Sequence, residues 1–237
     1  MPPYPSMIRY WSEKYPKRTS EDIFLGGNDP RIEISDERIL GTERYAIGLG
    51  DHPFTYADRG QPDGEKNRTD HFYGKIGEFI AQDDIEQYIR LSQKTDLKIY
   101  GNNKKSFDSD LKSGKICFQV KTHNVFNCGY PSWVIEDKDR TFFGRDWTMP
   151  RKDIVVVFVN IAYERNVSGK IIRLRGKVYS YNWLSELHGK EMFLELKNTI
   201  FNNKRAVYSN LLHSYGMIHS LKEVLLDKLP YLKFKTK

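Results

Sequence analysis

Two stretches of the chain carry apolar residues at the three- and four-residue spacing of an amphipathic helix. The first stretch covers residues 71–91, and the second covers residues 206–229, where Pro230 ends the pattern. A shorter helix is predicted at residues 182–188. These patterns place helices before and after the middle of the chain.

Between these helices the pattern changes to that of β-strands. Within residues 115–121 every second residue is apolar, which predicts a strand whose other face carries Gln119 and Lys121. Residues 154–161 are an unbroken apolar run rich in β-branched residues, typical of a strand buried on both faces. Residues 171–180 alternate again and predict a neighbouring strand. The order of elements favours an α/β fold with a central mixed β-sheet flanked by helices.

The region before the first long helix has a different composition. Gly, Pro, Asp and Arg dominate residues 41–69, which we expect to form a long surface loop. We find no internal repeat, low-complexity run or linker-like change of composition. Residues 1–237 are therefore expected to form a single domain. Its core is predicted at about residues 70–190, with residues 1–70 and 191–237 as helical and loop elaborations.

Composition limits the class of protein. The chain has 237 residues, of which 39% are hydrophobic and 14% aromatic, enough for one sizeable core. No apolar run approaches the ~18 residues of a membrane span, and residues 1–5 do not resemble a secretory signal. Two cysteines, Cys117 and Cys128, suit free thiols in a reducing cytoplasm and lack the spacing of a zinc site. Phosphate-binding-loop and nucleophilic-serine motifs are missing.

Positive charge is concentrated at one end of the chain. The net charge is +7, but residues 151–237 hold 16 Lys and Arg against 7 Asp and Glu, whereas residues 1–150 hold 22 against 24. A basic third beside a slightly acidic remainder suits a protein that binds a polyanion with one part. A solvated, lysine-rich surface explains the same numbers equally well.

The candidate chemistry lies just before and within the strand at residues 115–121. Asp108 and Asp110 precede a turn at Gly114, and the strand that follows carries Gln119 and Lys121 on one face. A hairpin here would gather carboxylate, amide and ammonium groups, because same-face residues on a strand are only ~7 Å apart. Carboxylate and amide oxygens can bind Mg²⁺, and a lysine beside them can stabilise phosphate charge. Asp110 is favoured over Asp108 because an apolar residue follows it, although both remain candidate ligands.

This arrangement resembles the PD-(D/E)XK nuclease superfamily, which includes many restriction endonucleases. That family has an Asp at the start of one strand, an acid-X-Lys motif on the next strand and a Glu on the preceding helix. The matching residues here are Asp110, Gln119, Lys121 and Glu78. The resemblance covers about residues 70–190 and implies a restriction-endonuclease-like core. It departs from the family pattern at Gln119, whose amide can ligate Mg²⁺ but contributes no formal charge.

The resemblance implies a Mg²⁺-dependent endonuclease, most like a type II restriction enzyme that cuts double-stranded DNA at a specific sequence as a homodimer. Asp110, Gln119 and Glu78 would hold the metal, with Asp108 as a further candidate, and Lys121 would position the attacking water or stabilise the transition state. Gln119 leaves open a non-catalytic DNA-binding protein on a degenerate nuclease fold. A nuclease that acts on RNA or on branched DNA is the third alternative.

Two basic segments are candidates for contacts with the phosphate backbone of DNA. One is a basic and aromatic loop, and the other is a strand in which cations alternate with apolar residues. The candidate residues are Arg145, Arg151, Lys152, Arg173, Arg175 and Lys177. The strand residues suit a solvated sheet face equally well.

Overall fold

Eight β-strands and five helices make up the part of the chain that the computed structural model describes. That part comprises residues 31–50, 64–99, 110–124, 132–136, 153–168, 170–189, 194–195 and 204–228. The elements in chain order are β1 (Ile32–Glu33), α1 (Asp36–Gly50), α2 (Gly64–Glu86), β2 (Leu111–Ser113), β3 (Ile116–Asn124), β4 (Ser132–Glu136), β5 (Ile154–Arg165), β6 (Ile171–Trp183), α3 (Leu184–Gly189), β7 (Leu194–Glu195), β8 (Lys204–Tyr208), α4 (Ser209–Ser214) and α5 (Leu221–Lys228). Among these helices none combines the length and the apolar character that a membrane crossing needs.

A five-stranded mixed sheet in the order β1-β6-β5-β3-β2 is the centre of the fold. β3 and β5 are parallel, with Cys117 opposite Ile154, and the other neighbouring strands are antiparallel. A second, antiparallel sheet has the order β4-β8-β7. The predicted α/β fold with a central mixed sheet flanked by helices is confirmed.

The two faces of the five-stranded sheet bury separate hydrophobic cores. Phe118 and Val120 of β3 belong to the core that includes buried residues of α1 and α2, whereas Cys117 belongs to the core that includes Trp133 of β4. Alternate residues of β5 are divided between the same two cores. The predicted alternation along β3 and the predicted burial of β5 on both faces are therefore confirmed.

Helix α2 lies directly against the sheet because glycines remove side chains at two points of contact. A Cβ on Gly77 would overlap Thr122 Oγ1 and lie 2.9 Å from the Cβ of the same threonine. A Cβ on Gly176 of β6 would overlap the side chain of Ile80 and lie 2.8 Å from a backbone carbonyl oxygen of β5. Because protein interiors are close-packed, any side chain at these positions would push the helix away from the sheet.

A tight hairpin joins β2 to β3 in the segment that carries the candidate motif. Ser113 pairs with Ile116, so the turn consists of Gly114 and Lys115. Gly114 has a φ of 57°, the left-handed conformation that two-residue hairpin turns favour at their first central residue. The hairpin sets the register between the residues that precede β2 and those of β3.

The predicted loop at residues 41–69 is wrong at both of its ends. Residues 41–50 belong to helix α1 and residues 64–69 belong to helix α2, while residues 51–63 lie outside the described ranges. The glycines of α1 allow close packing instead of a turn, because a Cβ on Gly41 would lie 3.1 Å from Leu97 and a Cβ on Gly48 would lie 2.6 Å from Ile99. These two glycines therefore mark positions where α1 packs closely against the segment that contains Leu97 and Ile99.

The helix predicted at residues 206–229 is in fact a strand followed by two short helices. Residues 204–208 form β8, α4 ends before Gly216, whose φ is 64°, and α5 begins at Leu221. Ser220 and Glu223 cap α5 reciprocally, with hydrogen bonds of 2.7 Å and 3.3 Å. The helix predicted at residues 182–188 is observed at Leu184–Gly189.

The helix predicted at residues 71–91 begins earlier and ends earlier, at Gly64–Glu86. Ile89 and Leu91 continue the apolar pattern because they are buried in the same core as α2, although they follow its last residue.

We predict that replacing Gly77 by Ala destabilises the protein by about 1–3 kcal/mol, because the new methyl group has no space against Thr122. Gly74→Ala on the same helix is the matched control, since nothing lies within 4 Å of a Cβ there. That variant should gain up to about 1 kcal/mol from helix propensity. Urea denaturation of the two variants and the wild type measures both changes, and equal stabilities would contradict the packing argument.

Candidate active site

Asp110 stands where strand β2 begins and where its pairing with β3 ends. The last β2–β3 pair is Leu111 with Phe118, and continuing the same register places Asp110 opposite Gln119. Asp110 Oδ2 accepts a hydrogen bond of 2.8 Å from the backbone N–H of Val120. The carboxylate is thereby held against β3 at the residue between Gln119 and Lys121.

Glu78 brings a second carboxyl group close to Asp110. Its side chain extends from the middle of helix α2, and the residue is only 7% exposed. Burial raises the pKa of Glu78 to about 8, and the negative charge of Asp110 is the next largest cause of that rise. The charge of Asp110 thus acts on a carboxyl group that is buried, and Glu78 can carry a negative charge there only at a cost in free energy.

Lys75 binds Glu78 from one turn earlier on the same helix. Lys75 Nζ lies 2.7 Å from Glu78 Oε2, and the Lys75 side chain is 18% exposed. Lys75 Nζ also lies 5.6 Å from the ring centroid of Tyr45 on α1. The pKa of Tyr45 is raised, mainly by burial, and the charges of four neighbouring residues act on it. We call Tyr45, Lys75, Glu78, Asp96 and Asp110 the Glu78 cluster.

Gln119 and Lys121 belong to the opposite face of the sheet from α2. They alternate with Phe118 and Val120, so they share the face of Cys117, and both are half-buried. His123 continues this face and lies edge-on to Trp133, with 6.3 Å between the ring centroids. Asp110 is therefore related to both groups of residues. Its charge acts on Glu78, and its carboxylate is bound to the β3 backbone between Gln119 and Lys121.

Only half of the candidate DNA-contacting residues lie in the described part of the chain. The others, Arg145, Arg151 and Lys152, lie outside it, as does the candidate metal ligand Asp108. Arg173, Arg175 and Lys177 follow one another on β6, as predicted. Acidic residues lie near all three of these cations.

Carboxylates on the neighbouring strands bind the two arginines of β6. Arg173 Nε lies 3.0 Å from Glu33 Oε1 of β1, and an Arg175 guanidinium nitrogen lies 3.2 Å from Glu164 Oε1 of β5. Lys177 acts on Asp84 of α2, where its positive charge works to lower the pKa that burial raises. Exposed pairs of this kind contribute little stability, but they reduce the positive potential that the strand presents to a phosphate backbone.

The Glu78 cluster contains carboxylate oxygens, which are the type of ligand that Mg²⁺ prefers in proteins. Within the described residues no group of three or more His, Cys, Asp or Glu side chains converges in a way that could hold a metal. Mg²⁺ needs less than that, because it commonly takes one or two carboxylates and completes its shell with waters and phosphate oxygens. The negative charge of Asp110 raises the pKa of Glu78, and a divalent cation bound to both residues would offset that repulsion.

Lys75 and Tyr45 are the residues that the sequence reasoning missed. Lys75 is three residues before Glu78, so helical spacing alone could have paired the two side chains. Tyr45 gave no comparable signal, because it lies within the segment that was predicted to be a loop.

No family model matches this chain, and neither does any curated protein or solved structure. The resemblance to nucleases therefore depends on Glu78, Asp110, Gln119 and Lys121 themselves.

We predict that the free energy of unfolding falls as the pH rises from about 4.5 to about 8. The ordinary pKa of a glutamate, 4.5, is raised to about 8 in Glu78, so the folded state binds more protons than the unfolded state in that window. Glu78→Gln should abolish this part of the decrease. Asp110→Asn should make the decrease end at a lower pH, because it removes a charge that raises the Glu78 pKa.

Urea denaturation of the three proteins across that pH range measures these differences. A decrease of the same size in Glu78→Gln would show that another group causes it.

Proposed function

We propose that this protein is a Mg²⁺-dependent nuclease that hydrolyses phosphodiester bonds in double-stranded DNA. The observation that carries the proposal is the position of Asp110. Its carboxylate is bound to the β3 backbone between Gln119 and Lys121, and it lies close enough to the buried Glu78 to raise the pKa of that residue. This combination of acidic groups, amide and lysine matches the motif identified in the sequence.

Glu78 and Asp110 would hold the cation, whereas Gln119, on the face of the sheet opposite α2, is not needed as a ligand of the same ion. When bound, Mg²⁺ supplies Lewis-acid polarisation of the phosphate and lowers the pKa of a water molecule. The packing of α2 at Gly77 keeps Glu78 away from bulk water, and this strengthens every charge interaction in the cluster. The hydrogen bond from Val120 fixes the orientation of Asp110, so little rearrangement is needed on binding.

Lys121 is the candidate for a direct role in the reaction. It follows Val120, whose N–H binds Asp110, and it lies on the same face of β3 as Gln119. An ammonium group there would position the attacking water or stabilise the negative charge that develops on the phosphate. Sequence-specific cleavage by a homodimer in the cytoplasm remains part of the proposal, on the grounds of the motif and of the low cysteine content.

A second candidate function is DNA binding without cleavage. Two observations favour it: Gln119 replaces an acid, and the strand of Gln119 and Lys121 turns these side chains to the face opposite α2. Such a protein would bind DNA in a salt-dependent manner and would leave it intact in the presence of Mg²⁺. A nuclease for RNA or branched DNA would use the same residues on another substrate.

The first experiment compares plasmid and phage DNA incubated with the purified protein and either Mg²⁺ or EDTA. We expect discrete fragments with Mg²⁺ and none with EDTA. Lys121→Ala and Asp110→Asn should each lower the cleavage rate by about 10²–10⁴-fold, in the range typical of lost catalytic groups. Lys115→Ala is the matched control, because Lys115 is exposed in the hairpin turn of the same motif and should keep full activity.

Each result has a definite meaning for the proposal. Full activity of Lys121→Ala would exclude the assigned site. Salt-sensitive binding of DNA without cleavage would favour the second candidate function, and cleavage of RNA or branched DNA alone would redirect the proposal to that substrate.

A further inference from the structure

Lys75 occupies an unusual position for a lysine on a helix. Its ammonium group lies 2.7 Å from Glu78 Oε2, and its side chain is only 18% exposed. Lys94 also pairs with a glutamate of α2 but is far more exposed. Its Nζ lies 2.6 Å from Glu86 Oε1, and its side chain is 54% exposed. Lysine side chains are seldom buried to this extent without a partner of opposite charge.

The surroundings of Lys75 contain more negative charge than its one ion pair. The charges of both Glu78 and Asp110 act on its ammonium group, and Glu78 is also its hydrogen-bond partner. The ammonium group is thus subject to the charges of two acidic residues, Glu78 in contact with it and Asp110, whose charge also acts on Glu78. The same two acidic residues that attract the Lys75 ammonium group would also attract a metal cation.

We propose that Lys75 is an internal counter-ion of the metal site, bound to Glu78 until a divalent cation displaces it. This inference rests on the proposed function, in that Glu78 and Asp110 are taken as the residues that hold the cation. Lys75 Nζ donates to Glu78 Oε2 in the absence of metal, and a divalent cation has to compete with the ammonium group for that oxygen.

Tyr45 offers the displaced ammonium group a second partner. Lys75 Nζ already lies 5.6 Å from the centroid of the Tyr45 ring, within the distance at which a cation is attracted to an aromatic face. The lysine therefore has two binding partners within reach, a carboxylate and a ring. A small movement of the side chain would exchange the first for the second without exposing the charge to an apolar environment.

Electrostatics gives the direction of the expected effect. Removing the positive charge of Lys75 makes the site more negative, and a divalent cation gains twice as much from that change as a monovalent one. A proton that competes with the metal for the same carboxylate oxygen carries a single charge and gains only half as much. The competition between proton and metal therefore still shifts toward the metal. Loss of Lys75 should therefore tighten divalent-cation binding.

The test is isothermal titration calorimetry with Ca²⁺, a hard cation that takes the same oxygen ligands as Mg²⁺ and allows binding to be measured without DNA. Lys75→Met should bind Ca²⁺ about tenfold more tightly than the wild type. Lys75→Arg keeps the charge and should bind within about twofold of the wild type. Lys94→Met, the matched control, removes an ion pair to a carboxylate of α2 outside the cluster and should leave binding unchanged.

Two further measurements secure the interpretation. Glu78→Gln should lose most of its Ca²⁺ binding, which assigns the measured heat to this site. Circular dichroism melting of each variant identifies any that fails to fold, and Lys75→Arg then tests the role of the charge in a variant that keeps the ion pair.

The outcomes separate this inference from the proposed function. Equal Ca²⁺ affinities of Lys75→Met and wild type, or no binding by any variant, would overturn the counter-ion role whether or not the protein cleaves DNA. Tighter binding by Lys75→Met, together with a wild type that cleaves no nucleic acid, would support the counter-ion and exclude the nuclease. Tighter binding together with Mg²⁺-dependent cleavage by the wild type would support both.

Discussion

The contact between helix α2 and the sheet at Gly77 is the constraint on which the candidate site depends. Because no side chain separates the helix from Thr122, the next residue, Glu78, is carried into a place with little water. Desolvation then makes its charge costly, and the neighbouring Asp110 makes it costlier still. The ion pair with Lys75 follows from the same cause, since a buried carboxylate needs a partner. The absence of a side chain at Gly77 is thus linked to the charge interactions among Glu78, Asp110 and Lys75.

The parts of the fold that could be predicted are those with a strong local pattern. β3, β5 and β6 were predictable because alternation and unbroken β-branched runs directly reflect which faces are buried. Helix α1 was missed because its glycines, which serve contacts with Leu97 and Ile99, look like turn residues in the sequence. β4, β7 and β8 were missed because they are short, and their pairing joins distant segments. The hairpin that brings Asp110 to the backbone between Gln119 and Lys121 could be predicted from spacing, whereas the packing of α1 and α2 that brings Lys75 to Tyr45 could not.

Part of the positive charge in the basic third of the sequence is paired with carboxylates in the described residues. The basic third of the sequence suggests a strand that presents three cations to DNA, yet Arg173 and Arg175 bind Glu33 and Glu164 from adjacent strands. Cross-strand pairs of opposite charge such as these are compatible with the observed register and contribute little stability. A net charge counts residues and cannot show which of them already face an opposite charge. The same reasoning explains why an acidic site can exist within a basic protein.

The parallel pairing of β3 with β5 has a consequence for the way the protein folds. The β2–β3 hairpin closes through a two-residue turn, so Asp110 can reach Val120 through local contacts alone. β5 must return from a distant part of the chain, and the intervening β4 joins a different sheet. Long-range pairing of this kind slows folding, because the chain loses loop entropy before the contact compensates for it. The half of the site on the hairpin can therefore form early, before the docking of α2 completes it.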